Sequence, residues 1–447
     1  MENPTQPREN RPIVGGLRFF LWILLLLAFT EFVMRGPVRF VREPGTWNDL
    51  SQNYTAARLW LKGQSPSDPN NFTVLWLKEG GSRLPISDPR THLAPPLGSL
   101  VIMAPIAALP WPTAKILWLI VLMVAFGLTV WALVLAGGLK HDELRTLAFV
   151  AACFALAPFQ TGIANGNSTI LMLGACAVAI WAAEKRRDVT AGILFGIACS
   201  LKPQTAAFLV LYYLVKRRWR VFATAVACTL GLVLVAVLYM QLRDVSWMHD
   251  YLSNAKGFVT ANQVDDFSSA NPIRFTLINL QVPFFVIIGH SASANVLAFA
   301  VCALLLCVWL CWAIQRRQPR PELLCLGAVS VMALLPVYHR FYDAALLAVP
   351  LCWVMTALVA KSRSLAQVAL LLMAPFLVPG AALLQQHASS GRIPEAVRQT
   401  WWWNAVVMPH ETWALLLLCL ILLHAMRGEF GRTNPETQNG ANLSVGH

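Results

Sequence analysis

Charge is what this chain has little of. Only 13% of its 447 residues are Asp, Glu, Lys or Arg, against roughly 25% in an average soluble domain. With 57% of the residues hydrophobic, no water-soluble core could absorb the apolar sequence. The motifs of soluble catalysis are missing too. There is no HExxH and no cysteine cluster, and the nine histidines are scattered, so no metal site is expected. No Walker loop occurs and no GxGxxG follows a strand-like run, which excludes a nucleotide held at a phosphate-cradling loop. CxxC pairs are absent as well. All ten cysteines (Cys153, Cys176, Cys199, Cys228, Cys302, Cys307, Cys311, Cys325, Cys352 and Cys419) fall inside apolar segments and read as small buried hydrophobes. No internal repeat or low-complexity tract stands out.

Long apolar runs are what the chain has instead. A helix needs about 20 apolar residues to cross ~30 Å of hydrocarbon. Runs of that kind recur near 17–34, 113–136, 145–158, 168–184, 189–201, 203–216, 219–241, 294–314, 322–337, 342–359, 365–385 and 411–426. The pattern predicts an all-α, polytopic membrane bundle of about twelve transmembrane helices. The first run, Leu17 to Met34, is flanked by Arg8, Arg11 and Arg18 but is followed by no small-residue cleavage motif, and it reads as a retained span. Residues 1–16 form a cytoplasmic tail, 17–426 one membrane domain, and the polar, Gly/Asn-rich 427–447 a disordered cytoplasmic tail.

The net charge is +13. In a membrane chain this balance reports orientation, not nucleic acid, because Lys and Arg collect on the cytoplasmic side. Lys185-Arg186-Arg187, Lys216-Arg217-Arg218 with Arg220, Arg316-Arg317 with Arg320, Lys361 with Arg363, and Arg427 with Arg432 fit one side. Placing them there sends the unusual polar residues outward: the 35–112 loop with Asp49, "QTGIANGNST" (160–169), Lys202, the 242–271 loop with Asp265 and Asp266, "YHRFYD" (338–343) and the 386–410 loop with "TWWW". The stretches 93–110 and 273–289 break the alternation if they cross, so interfacial or re-entrant elements on the outer face are expected there.

Four places in that outward set carry chemistry. In "DLSQNYTAARLWLKG", Leu50, Tyr54, Ala57 and Leu61 share one helical face, predicting an amphipathic helix that ends near Gly63. Asp49 at its start reads either as a site acid or as the helix N-cap, for which Asp is a favoured residue. Lys202 lies in a segment apolar on both sides, where inserting a lysine costs about 2.5–3.5 kcal/mol. Pro203 breaks the helix there, so two short helices meeting at Lys202 are expected. An anion such as a lipid phosphate would satisfy the ammonium, as would snorkelling to the interface. His339 and Arg340 can bind a phosphate, with Asp343 and Tyr54 as substrate contacts; a plain Arg340/Asp343 surface pair is the alternative. Asn165, Asn167 and Ser168 offer the uncharged hydrogen bonds that sugars need, or form a simple Asn-Gly turn.

"DLSQNYTAARLWLKGQSP", "APPL" (94–97), "GNST" (166–169), "AGILFGIACSLKPQ" (191–204) followed by "KRRWR", and "YHRFYDAALLAVP" (338–350) together resemble glycosyltransferase family 87. These are polytopic enzymes of the GT-C type that include polyprenyl-phosphate-mannose-dependent mannosyltransferases. The resemblance runs in order from about residue 17 to 360, and its most specific piece is the Gly-rich helix ending in Lys-Pro. It departs at Ala94, at Asn167 and at "PSD" (66–68), which bears on donor and acceptor more than on reaction class.

The resemblance implies an inverting sugar transfer from a polyprenyl-phosphate donor to a lipid or glycan hydroxyl, with Asp49 as the catalytic acid of the first outer loop. It also implies the periplasmic side of a bacterial inner membrane and no cofactor beyond the donor itself. Inversion needs a base for the acceptor proton, which suits Asp49, and a leaving phosphate can be stabilised by Lys202, His339 and Arg340. Two other classes remain: a flippase or transporter of lipid-linked sugars, which would spread charge along a transmembrane path, and a non-catalytic subunit of the same fold.

Overall fold

The structure, a computed structural model, describes residues 11–42, 48–82, 91–257, 265–315, 322–360 and 362–428, with the side chains of 11–14 excepted. The expected tails, up to residue 10 and from 429, and the basic residues Arg316, Arg317, Arg320 and Lys361 lie outside the described residues. The described residues are helical throughout and contain no named strand; one isolated antiparallel bridge joins Leu277 to Arg340.

Among the described residues five helices are long and apolar enough to cross a membrane: the run Gly15–Arg42, then Trp111–Ala136, Trp219–Leu242, Ser291–Ile314 and His410–Arg427. Two bent pairs, Glu143–Ala155 with Ala157–Ala164 and Arg363–Leu377 with Gly380–Ser389, bring the number to as many as seven. The other five expected crossings are shorter apolar helices, among them Thr169–Glu184, Asp188–Leu201 and Pro203–Val215. At 1.5 Å per residue these three reach only about 20–24 Å. The first helix begins at Arg11 and passes through a π-helical turn at Met34–Val38, where Pro37 removes a backbone donor. Neither Leu97–Ala107 nor Gln281–Ile288, the cores of the two stretches that break the alternation, is long enough to cross.

Packing explains the shortest and most apolar pieces. Every residue from Leu323 to Met332 is buried, as is nearly all of 341–357, so these helices are apolar on all faces because protein surrounds them. The Asp188–Leu201 helix lies along Trp219–Leu242 through Gly192 and Gly196. A Cβ on either glycine would sit 2.5 Å from the Cβ of Thr224 or Cys228. Small residues four apart let two backbones meet closely, and the helix held in this seam ends at Lys202, where Pro203 follows. All ten cysteines are unpaired.

Candidate functional site: an acid joined to a buried carboxylate hub

The amphipathic stretch forms the helix Asp49–Leu61, stopped by Lys62 and by Gly63 at φ +68°. Asn48, not Asp49, is the N-cap. Its side chain accepts from the Ser51 amide at 3.0 Å, and Ser51 Oγ accepts from the Asn48 amide at 3.0 Å, a reciprocal capping box. The carboxylate of Asp49 is therefore free of the capping duty that the sequence left open. The helix buries more than one stripe, because Pro69–Lys78 and Leu97–Ala107 cover it: Leu50, Tyr54 and Ala57 are fully buried, and so are Ala56 and Leu59.

Asp49 is half-buried and accepts a hydrogen bond at 2.7 Å from Asn167 Nδ2. The amide of Asn167 is oriented by the chain itself, since its Oδ1 accepts from the Thr169 amide at 2.8 Å and so turns the NH₂ toward the acid. Gly166 makes the turn possible. Its φ is +64°, and a Cβ there would stand 2.7 Å from Leu50 Cβ and 2.9 Å from Phe40. Asn165 contributes its backbone carbonyl, which accepts from the Leu50 amide at 3.4 Å. Burial pushes the Asp49 carboxyl above its usual range; the Asn167 hydrogen bond and the charges of Lys202 and Arg340 pull the other way, and Asp343 adds to the rise.

Lys202 occupies the joint between the helices Asp188–Leu201 and Pro203–Val215, as the break at Pro203 predicts. Its ammonium donates to Asp343 Oδ1 at 2.5 Å and lies 5.0 Å from the centre of the Tyr342 ring. Asp343 is 1% exposed. It also accepts from Thr169 Oγ1 at 2.5 Å, from the Arg340 amide at 3.1 Å and pairs with His339 Nδ1 at 3.2 Å. The carboxylate is thus surrounded by donors on both oxygens. His339 is fully buried, held also through its carbonyl by the Ile278 amide at 3.0 Å, and its Nε2 is buried with no hydrogen-bond partner.

Arg340 is half-buried. Its Nε donates to the Tyr338 hydroxyl at 2.6 Å, and its guanidinium carbon lies 5.6 Å from the centre of that ring. Among the described residues no carboxylate forms an ion pair with it. Asp49 and Asp265 are both within electrostatic reach of its charge, and burial pushes the Asp265 carboxyl up to about 7 against that attraction.

The structure therefore brings Asp49, Asn167, Lys202, His339, Arg340 and Asp343 into one connected cluster, with Asn165 beside it through its backbone. Tyr54 is not part of it. Its hydroxyl is inside the core, donating to the Leu109 carbonyl at 2.8 Å and to Glu79 at 3.2 Å, beside the Arg58–Glu79 ion pair. The spacing that put Tyr54 on the same face as Leu50 marks a packing residue. Thr169 and Tyr338 belong to the cluster but were not singled out by sequence. Both lie inside quoted polar stretches, and no spacing rule distinguishes them from neighbouring turn residues. Among the described residues no three His, Cys, Asp or Glu side chains gather as metal ligands would.

An apolar cavity of about 520 Å³ lies between the breaks of the two bent helix pairs, lined by Leu156, Leu351, Met373, Ala374 and Leu377 among others. Phe376, next to this lining, stacks on Phe341 at 5.9 Å and 15°, and Phe341 follows Arg340 directly. Leu371, also in the lining, is 71% exposed, so the cavity borders an apolar outer face.

No curated protein matches the chain. The model of glycosyltransferase family 87 matches residues 95–337, a span that contains Asn165, Asn167 and Lys202, begins after Asp49 and stops just before His339. With just over half of its residues matched in that way, the chain belongs to glycosyltransferase family 87.

Proposed function

We propose that this chain is a GT-C-type transferase moving a mannose-like hexose from a polyprenyl-phosphate donor to a hydroxyl of a lipid or glycan. The proposed setting is the periplasmic side of a bacterial inner membrane, where the clustering of Lys and Arg on the opposite side would place the site. The observation that carries the reading is Asp49. It is a carboxylate released from capping, tied to Asn167 and within electrostatic reach of the cations of Lys202 and Arg340.

In the proposed reaction the acceptor oxygen attacks the anomeric carbon opposite the phosphate and passes its proton to Asp49, the C–O bond to phosphate breaks, and configuration inverts. The elevated affinity of Asp49 for a proton makes it a stronger base than an exposed aspartate. Arg340, unpaired by any carboxylate among the described residues, suits the departing phosphate as a planar double donor. Lys202, already neutralised by Asp343, adds fixed dipole more than net charge, and His339, whose Nδ1 meets Asp343, donates from Nε2 to the phosphate as the imidazolium. The apolar cavity lined by Leu156, Leu351 and Leu377 suits the isoprenoid tail. No cofactor is required beyond the donor.

The test is purified protein incubated with a panel of radiolabelled polyprenyl-phosphate sugars and total membrane lipid, with product anomer determined. The reading requires transfer with inversion by the wild type and its loss in Asp49→Asn. Absence of transfer from every such donor, by protein that is folded, overturns it.

A further inference from the structure

The acceptor side and the leaving-group side of the cluster are joined by an unbroken run of hydrogen bonds. Asp49 accepts from Asn167 Nδ2 at 2.7 Å, Asn167 Oδ1 accepts from the Thr169 amide at 2.8 Å, and Thr169 Oγ1 donates to Asp343 Oδ1 at 2.5 Å. From Asp343 the run divides, to Lys202 Nζ through the same oxygen at 2.5 Å and to His339 Nδ1 through the other at 3.2 Å. Apart from the His339–Asp343 contact inside the 339–343 turn, the links join different elements: the start of the Asp49 helix, the Gly166 turn, the first residue of the Thr169–Glu184 helix, the Lys202 joint and that turn. Asp343 itself is 1% exposed, and four donors or potential donors converge on its two oxygens. A carboxylate so filled has no lone pair left for a sugar hydroxyl. A plain surface pair with Arg340 is likewise absent, since the contact with Arg340 is to its backbone amide.

Resting on the proposed sugar transfer, we propose that Asp343 and Thr169 are positioning residues. Together they form a buried buckle that sets the spacing between the base Asp49 and the groups meeting the phosphate, Lys202 and His339. The physical need is specific. In-line displacement requires base and leaving-group contacts on opposite faces of one carbon, and a misplacement near 1 Å can cost on the order of 10²-fold in rate. Among the described residues, a lysine at a helix break and a histidine in a turn have no other common hydrogen-bonding anchor. Asp343 gives them one, and Thr169 ties that anchor to the amide that holds the base. The pairing at His339 Nδ1 leaves Nε2 as the buried ring nitrogen without a hydrogen-bond partner.

Thr169→Val is the discriminating variant, because it keeps the branched volume and removes only the donor. The expected result, with polyprenyl-phosphate mannose and total membrane lipid, is a kcat lowered roughly 10–100-fold with donor KM within about twofold of wild type. The melting temperature should be close to wild type, and Thr169→Ser should restore turnover. Asp343→Asn should lose turnover and stability together, since it strips the charge from a buried lysine's partner. Wild-type turnover in Thr169→Val, or a turnover loss there that only follows a lowered melting temperature and is not restored by Thr169→Ser, overturns the buckle while leaving sugar transfer standing. Failure of the wild type to transfer from any polyprenyl-phosphate donor, or full activity in Asp49→Asn, removes the reading on which the buckle rests and removes the buckle with it.

Discussion

Asn167 reaches Asp49 across 118 positions of chain and donates to its carboxylate at 2.7 Å, while its own carbonyl oxygen is occupied by the Thr169 amide. A hydrogen bond to the charged form of an acid lowers its pKa, whereas burial raises it. In Asp49 burial is the larger influence and the net direction is upward. Removing the amide with Asn167→Leu leaves burial less opposed. A base works only when deprotonated, so activity falls as pH drops through the Asp49 pKa. The acid limb of kcat/KM should therefore lie above the ordinary aspartate range in the wild type and move to still higher pH in Asn167→Leu. A limb that stays in place, or moves down, removes Asp49 from the role of base.

Asp49→Asn should abolish the base without loosening the fold. General-base assistance contributes roughly 10²–10⁴-fold, and turnover should drop by that order. The helix keeps its Asn48–Ser51 box, so its cap is untouched. Replacing an acid whose charged form is disfavoured by burial also costs no stability, and the melting temperature should match or exceed the wild type. Collapse of the fold in Asp49→Asn would instead assign the residue to structure.

The site could be read in sequence where a polar residue interrupts an apolar run, and much less where it does not. Lys202 beside Pro203 is conspicuous by cost and by the broken ladder, and the joint is where that break puts it. The helix from Asp49 to Leu61 follows from its period. The choice between cap and site acid did not, because Asn48 and Asp49 are both good caps and only the bonds to Ser51 decide between them. Asp343 carried no mark of its position as a hub, since its four partners come from 169, 202, 339 and 340 and converge only in three dimensions. Tyr54 shows the limit of periodicity from the other side: the face it shares with Leu50 is buried against neighbouring helices and does not open on the cluster. A short helix such as Glu322–Met332 reads as a crossing because it is almost uniformly apolar, which burial inside protein produces as readily as lipid does.

Gly166→Ala tests how closely the turn must approach the Asp49 helix. The backbone there is left-handed at φ +64°, and the added Cβ would lie 2.7 Å from Leu50 Cβ, inside van der Waals contact. Leu50 is fully buried and cannot swing away. The substitution should destabilise the protein by about 1–3 kcal/mol and, by forcing the turn off the helix start, lower turnover beyond what the stability loss accounts for. Unchanged melting and unchanged turnover in detergent-solubilised Gly166→Ala would show that the turn does not need this contact.

Asp265 offers a pH test outside the membrane spans. Burial raises its carboxyl from 3.8 to about 7, with Arg340 opposing the rise. The folded state therefore holds this proton more tightly than the unfolded chain does. The stability that the neutral form contributes is fully present below about pH 4, falls as pH rises, and is lost once pH passes about 7, where both states are ionised. Asp265→Asn keeps a neutral side chain at every pH and escapes that loss. Its melting temperature should equal the wild type near pH 4, exceed it increasingly toward pH 7, and hold a constant advantage above. A constant difference at all pH values, or a variant less stable than wild type near pH 8, would mean that Asp265 is ionised in its site and that its pairing with Arg340 outweighs its burial.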